Sequence, residues 1–341
     1  MPVSTVLITA INALFPLIIT ILLGYILKCR GFLTKEFLKV GNKLVFNVCL
    51  PAMLFVNVYD IDGFAAINWD IVIYACAAFA LVCIVGLVIA VATTPVPERR
   101  GVIWQCSFRS NFGIIGLTLA AALGGSEAVA VAAIVSSFTV PLFNVMAVIA
   151  LSVFTDGSKG KTSVKKIVLN IVKNPLIIGV ALGLGCLAIR EAQNAIFGRV
   201  VFSISRDTTF LYKTLSNLKA IASPFALLVL GGQFEFSAVK GLMKEIISGT
   251  LSRVVIAPLI GIGCAALVAA NTDWLVCGVN EYPALIAMFG SPVAVSSAVM
   301  AGNMGSDEQL ATQLVVWTSI FSIFTIFAQV CILMGAGLLA V

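Results

Sequence analysis

Long apolar runs alternate with short polar connections along nearly the whole chain, and each run has the length of about 20 residues that a helix needs to cross the hydrocarbon core of a bilayer. Ten such runs occur, at roughly 5–27, 40–58, 69–92, 102–123, 128–153, 167–189, 216–234, 246–270, 283–303 and 312–339. They are continuous, which excludes a β-barrel, whose strands alternate over segments of about ten residues. The pattern predicts an all-α integral membrane protein with ten transmembrane helices. The longest polar stretch, Arg190 to Lys219, is too short for a soluble domain. It carries Ile196, Phe197, Val200, Val201 and Ile204 among Arg199, Arg206 and Lys213. That spacing suits an amphipathic helix on the membrane surface, or else a plain linker.

The second half repeats the first. Phe15-Pro16-Leu17-Ile18-Ile19 with Gly24 returns as Asn174-Pro175-Leu176-Ile177-Ile178 with Gly183, and Leu50-Pro51-Ala52-Met53-Leu54 returns as Ser223-Pro224-Phe225-Ala226-Leu227. Asn111 followed by Gly125-Ser126-Glu127 is answered by Ser291 followed by Gly305-Ser306-Asp307. Three matches in the same order predict a duplicated unit of five helices. Because five is odd, the second copy enters the membrane from the opposite face, giving two inverted five-helix repeats, the plan of many secondary transporters. The expected organisation is residues 1–189 for the first repeat together with helix 6, which opens the second, then an amphipathic joint at 190–216, and 217–341 for the remainder.

Charge orients this plan. No Lys or Arg precedes the first run and five follow it, at Lys28, Arg30, Lys35, Lys39 and Lys43. A cleaved signal peptide has the opposite bias, so the run is expected to stay as the first helix. The odd-numbered connections hold fourteen Lys and Arg and the even-numbered ones five, all in the 190–219 joint. By the positive-inside rule the odd connections are cytoplasmic and both termini lie outside a plasma membrane, the inner one in a bacterium. The net charge of +6 is then a product of topology and implies no nucleic-acid partner. Of 341 residues, 60% are hydrophobic and 11% charged. The nine Cys lie in or beside apolar runs without a CxxC pair and are expected as free, buried thiols. The absence of His removes the commonest metal ligand and proton relay. No metal, cofactor or catalytic residue is expected, and an intramembrane enzyme is disfavoured.

Two spans are interrupted in the middle. The fourth reads Phe108-Arg109-Ser110-Asn111-Phe112-Gly113-Ile114-Ile115-Gly116 and the ninth Phe289-Gly290-Ser291-Pro292-Val293-Ala294. Pro292 removes a backbone donor and clashes with the preceding turn, while Asn111 and Gly113 favour local non-helical backbone. Unwound backbone is tolerated in a bilayer only inside protein or along a wet cavity. Matched breaks therefore point to a binding site where they cross, with half-helix N-termini ready for a carboxylate, unless they are simple bends at packing sites. Arg109 lies deep enough to face the interior and attract an anion, or else to snorkel or pair with a carbonyl. Arg253 and Lys173 read as shallower, interfacial residues. Pro51 and Pro224 are placed to kink helices flanking the site, or only to bend them. Asn144 is polar within an apolar run and should face the bundle. Carboxylates fall at span ends, which weakens a cation exchanger and suits an organic anion.

These runs, Asn111 to Gly116, Pro292 to Ala301 with Asn303 and Gly305, Ser223-Pro224 with Leu227-Leu228 and Gly231, and Leu50-Pro51, resemble the auxin efflux carrier family, which holds plant auxin exporters and bacterial carriers of malate, malonate and related carboxylates. The resemblance implies crossed broken helices four and nine, and an elevator motion of helices 3–5 and 8–10 against a scaffold of helices 1, 2, 6 and 7. It also implies that Asn111 contacts the substrate carboxylate and that Pro292 marks the second break. Thr118 and Ser297 stand where plant members have proline. The expectation is a transporter of mono- or dicarboxylates in the lipid bilayer, with a homodimer left open. The rivals are a sodium-coupled symporter of the bile-acid type and a membrane receptor or sensor. On a background without accessible native cysteines, Ser158→Cys is expected to react with an impermeant thiol reagent only in opened cells, and labelling of intact cells would reverse this topology.

Overall fold

The computed structural model describes residues 3–60, 68–157, 169 and 172–339. Ser158 and the lysines at 159, 161, 165 and 166 lie outside these residues. The described residues are almost all helical, as apolar segments in lipid must be, since every backbone group there needs a partner within the chain. Helix α1 spans Val3–Cys29, α2 Lys35–Tyr59, α3 Trp69–Thr93, α7 Pro175–Phe197, α8 Thr209–Gln233, α9 Phe236–Asn271 and α12 Glu308–Gly335. Between α3 and α7 the chain forms α4 (Pro97–Phe108), a break, then α5 (112–124) and α6 (126–157), which part at Gly125. Between α9 and α12 come α10 (281–290), a second break, and α11 (Ser296–Asn303). Among the described residues seven helices have the length and composition to cross a membrane. α1 is long as well, and the fourth and ninth runs are each split in two.

Several helix starts follow from local chemistry. The Asn174 side chain accepts the Leu176 N–H at 2.9 Å, and Pro175 follows in the first turn, where its missing donor costs nothing. Asp307 caps α12 in the same way, accepting from Leu310 N at 2.9 Å. Gly125 and Gly305, matched in the sequence repeat, both take left-handed backbone, with φ of 67° and 73°, where a side chain is disfavoured. The joint differs from expectation. No separate helix lies there: α7 runs on to Phe197, Gly198 ends it in a left-handed cap, and after one turn at Ile204–Asp207 α8 begins at Thr209. The apolar residues assigned to a surface helix belong to the end of α7, the connecting loop and that single turn.

Glycines bring the helices of two pairs into backbone contact. A Cβ added to Gly24 would run into the carbonyl of Leu228, and one on Gly231 into the carbonyl of Ile21, so α1 lies directly on α8. A Cβ on Gly183 would meet the carbonyl of Phe55 and the side chain of Val58, and one on Gly179 the carbonyl of Pro51, so α7 lies on α2. Gly24 and Gly183 stand at matched places in the sequence, and Leu228 and Phe55 each stand four residues after the matched prolines.

Ion pairs gather the connections at two ends. At one, Arg99 reaches Glu245 at 3.0 Å and Asp307 at 3.1 Å, and Lys28 reaches Glu235 at 3.8 Å. At the other, Lys219 reaches Asp60 at 3.3 Å, the Tyr212 hydroxyl donates to Asp60 at 2.8 Å, and Tyr59 bonds Ser203 at 3.0 Å. These pairs are partly exposed, so they mark position more than they stabilise. All nine cysteines are free; Cys49, Cys83 and Cys106 are buried as expected, Cys29 is exposed, and the other five are half-buried.

Gly183→Val is expected to destabilise the folded protein by about 1–3 kcal/mol through overpacking, read as a lower unfolding temperature. Gly185→Val, two residues along the same helix where a side chain meets open space, should leave it nearly unchanged.

Candidate functional site

Both breaks meet in one short piece of antiparallel β-structure. Ser110 bridges Val293. The Asn111 N–H donates to the Pro292 carbonyl at 2.9 Å, and the Ala294 N–H donates to the Arg109 carbonyl at 3.1 Å. Each unwound strand thus supplies the hydrogen bonds the other lost by leaving its helix. The residue before a proline is pushed to extended backbone, and Ser291, with ψ of 148°, ends α10 there. Thr318 of α12 takes the Val293 N–H at 3.1 Å. Gly116 allows the crossing: a Cβ on it would stand 2.7 Å from the Ala287 carbonyl of α10.

Below the bridge the carbonyl ends of α4 and α10 face one group. Arg253 of α9 is 1% exposed and lies in a π-helical stretch, Ser252–Ile256. Its Nε donates to the Ser291 carbonyl at 2.9 Å, Nη1 to the carbonyls of Ser107 and Phe108 at 3.3 and 3.2 Å, and Nη2 to those of Met288 and Phe289 at 2.9 and 2.8 Å. Arg253 is therefore not interfacial, as its place in the sequence suggested. The helix that carries it begins ten residues earlier than its apolar run, which moves Arg253 to the middle of the span.

On the other side of the bridge lies a cavity of about 60 Å³. Arg109, Ser110, Asn111 and Gly113 form one wall, Asn144 of α6 stands beside them, and Met53 and Asn57 of α2 with Ser223 of α8 face them. Arg109 is 3% exposed. It donates from Nη2 to Asn144 Oδ1 at 2.6 Å and from Nη1 to the sulfur of Met300, and Asn144 is itself held by donating to the Val140 carbonyl at 2.8 Å. Among the described residues no carboxylate pairs with Arg109. Asn111 is 4% exposed, and its Nδ2 and the Ser110 hydroxyl have no hydrogen-bond partner among the described residues. A buried donor without an acceptor costs about 1–3 kcal/mol, and a buried charge without a counter-ion costs more. The wall is therefore short of negative charge and of acceptors.

This small cavity shares Met53, Asn57, Gly113 and Ser223 with a wider one of about 530 Å³ that reaches Lys219. It thus adjoins the cavity that leads toward the end of the molecule marked by Asp60. Toward the opposite end the way is crossed by hydrogen bonds. Glu308 of α12 accepts from Asn42 of α2 at 2.7 Å and from Gln233 of α8 at 2.8 Å, and Gln309 donates to the Gln233 carbonyl at 3.0 Å.

Of the residues expected at the site, Arg109, Asn111, Gly113 and Asn144 come together on the small cavity. Pro224 lines the wider cavity. Ser291 and Pro292 sit behind the wall, contributing carbonyls to Arg253 and to Asn111, and Pro51 packs against Gly179 of α7. Sequence reasoning missed Asn57 and Ser223. Ser223 stands beside a matched proline, so the repeat contained a signal for it, whereas nothing in the chain singles out Asn57.

Residues 9–328 match the family described as Membrane transport protein. The chain is also similar to an uncharacterized transporter of Methanothermobacter thermautotrophicus, 23% identical over 321 residues, which cover 91% of this chain and 93% of that one.

Proposed function

This chain belongs to the membrane transport protein family, the auxin efflux carriers, and from that premise we propose that it carries small organic anions, mono- or dicarboxylates, through the crossover of its two broken helices. The observation that carries the proposal is the wall of the small cavity. A buried guanidinium without a carboxylate stands beside an amide nitrogen and a hydroxyl without acceptors. A carboxylate supplies the missing charge and the missing acceptors together. Hydrogen bonds to a charged group are the stronger kind, so the group that fits best is an anion with two oxygens. Arg109 attracts it, Asn111 and Ser110 orient it, and Asn144 holds the guanidinium in place.

The motion follows from which helices touch. We read the chain as ten crossings in two inverted repeats, with α1, α2, α7 and α8 as the scaffold and the rest as the moving part. Two observations support this reading. Repeat-matched glycines make repeat-matched contacts, Gly24 on Leu228 and Gly183 on Phe55, as a two-fold axis in the membrane plane requires. Both cavities are lined from the two sets of helices, so a sliding of one set against the other carries the site with it. With the Lys28 end in the cytoplasm, the cavity beside Lys219 opens outward, and the Glu308 bonds to Asn42 and Gln233 form the closed inner side.

Counterflow in proteoliposomes across a panel of carboxylates tests the activity. In that assay Asn111→Ala is expected to weaken apparent affinity about ten- to a hundredfold, the equivalent of one hydrogen bond to a charge at roughly 1.5–3 kcal/mol, while remaining folded. Pro292→Ala should let the helix extend, raising the unfolding temperature and slowing transport. Wild-type affinity and rate in both variants would remove the crossover as the site.

A further inference from the structure

The anion site uses one buried guanidinium, and the crossover holds a second that it does not use. A guanidinium has five N–H groups, and Arg253 directs them at five carbonyls, those of Ser107, Phe108, Met288, Phe289 and Ser291. Every donor has an acceptor. All five acceptors belong to the C-terminal ends of α4 and α10. A helix leaves its last carbonyls unpaired and concentrates about half a negative charge there, so two such ends pointing at one spot create a strongly electronegative, dry cluster of oxygens. In transporters with discontinuous helices, ends of this kind coordinate a dissociable cation. Here no free ion is needed to neutralise them, because the chain supplies a cation on its own side chain.

We infer that Arg253 is a tethered cation at the crossover: it fills the carbonyl cluster that would otherwise take a free monovalent cation, and it is a positioning residue that fixes the bridge and, through the bridge, Arg109 and Asn111. Its planar fork suits this task as a lysine does not, since an ammonium has three donors in no fixed plane. The arginine is specific to one half. α3, the counterpart of α9, has no Lys or Arg between Trp69 and Thr93, so the repeat alone does not require it. Two consequences follow. Transport needs no sodium at the crossover, and removing the side chain turns the cluster into a cation site.

The inference rests on the crossover being the transport site, and its test has an arm that does not. Thermal unfolding of purified, full-length protein is followed by tryptophan fluorescence in choline, sodium, potassium and low guanidinium at equal ionic strength. The wild type should unfold at one temperature in all four. Arg253→Ala should unfold lower, and guanidinium should raise it saturably toward the wild type, while choline does not. A variant as stable as the wild type, or an equal effect of guanidinium on both proteins, overturns the inference. If Arg253→Ala is recovered folded only in guanidinium, that outcome supports it; if guanidinium fails to recover it, the inference falls. Arg253→Lys, keeping the charge with fewer donors, should fall between the two and ignore guanidinium. In proteoliposomes loaded with whichever carboxylate counterflow identifies, wild-type rates should be equal in sodium and choline. Arg253→Ala should lose at least about tenfold, the effect of losing a single hydrogen bond to a charge. A sodium requirement in the wild type also overturns it, whereas failure of every carboxylate to move leaves the unfolding result standing and removes only the anion reading.

Discussion

A bilayer interior offers no water to a broken helix, so every N–H and C=O freed by the breaks between α4 and α5 and between α10 and α11 must find a partner inside the protein. The answer adopted here governs the rest of the molecule. The freed groups on the strands pair with each other through the Ser110–Val293 bridge, and the freed carbonyls at the helix ends converge on Arg253. Neither half can satisfy itself. The two breaks must cross, at one register, with α9 alongside to deliver the guanidinium, and the glycine at 116 must be bare for α5 and α10 to approach.

The two buried arginines illustrate how satisfaction decides role. Arg109 and Arg253 are nearly equally hidden, and burial alone disfavours both as charges. Arg253 has five carbonyls at the negative ends of two helices, which compensate it fully. Arg109 has an amide oxygen and a thioether sulfur, which do not. A saturated charge holds structure together; an undersaturated one beside a cavity is open to a further acceptor, which is what the proposed anion site requires. The same logic separates Asn144, whose amide is engaged at both ends, from Asn111, whose nitrogen waits for an acceptor.

Much of this was legible in the sequence because it is written in residues with a single strong backbone meaning. Pro292, and Asn111 with Gly113, marked the two places where helix gives way to the Ser110–Val293 bridge. The matched Pro and Gly positions were read as a repeat, and two of the glycines, Gly24 and Gly183, lie at helix contacts the sequence did not name. Arg253 was not legible, because its depth was judged from where the apolar run starts, and α9 begins ten polar and mixed residues earlier, at Phe236. Charged residues such as Lys240 and Lys244 interrupt hydropathy without interrupting a helix. The joint was misread for a related reason: amphipathic spacing does not distinguish a helix on a membrane surface from the capped end of a spanning one and the loop after it. Which groups lack partners, the property that defines the candidate site, depends on side chains brought together from six helices and has no signature in any one of them.

The span from Ser107 to Arg253 is 146 residues, and its consequence lies in how the protein is made. A ribosome delivers the first half to the membrane well before the residue that caps its broken helix exists. Until then α4 ends in bare carbonyls and Arg109 has no settled place, so the nascent first half is a poor occupant of lipid and a natural client for whatever holds incomplete helices at the insertion site. Capping waits on α9, and pairing of the strands on the second break. Synthesis order thus leaves the first break incomplete for most of translation: a chain truncated before α9 keeps the Ser107 and Phe108 carbonyls without the guanidinium that caps them.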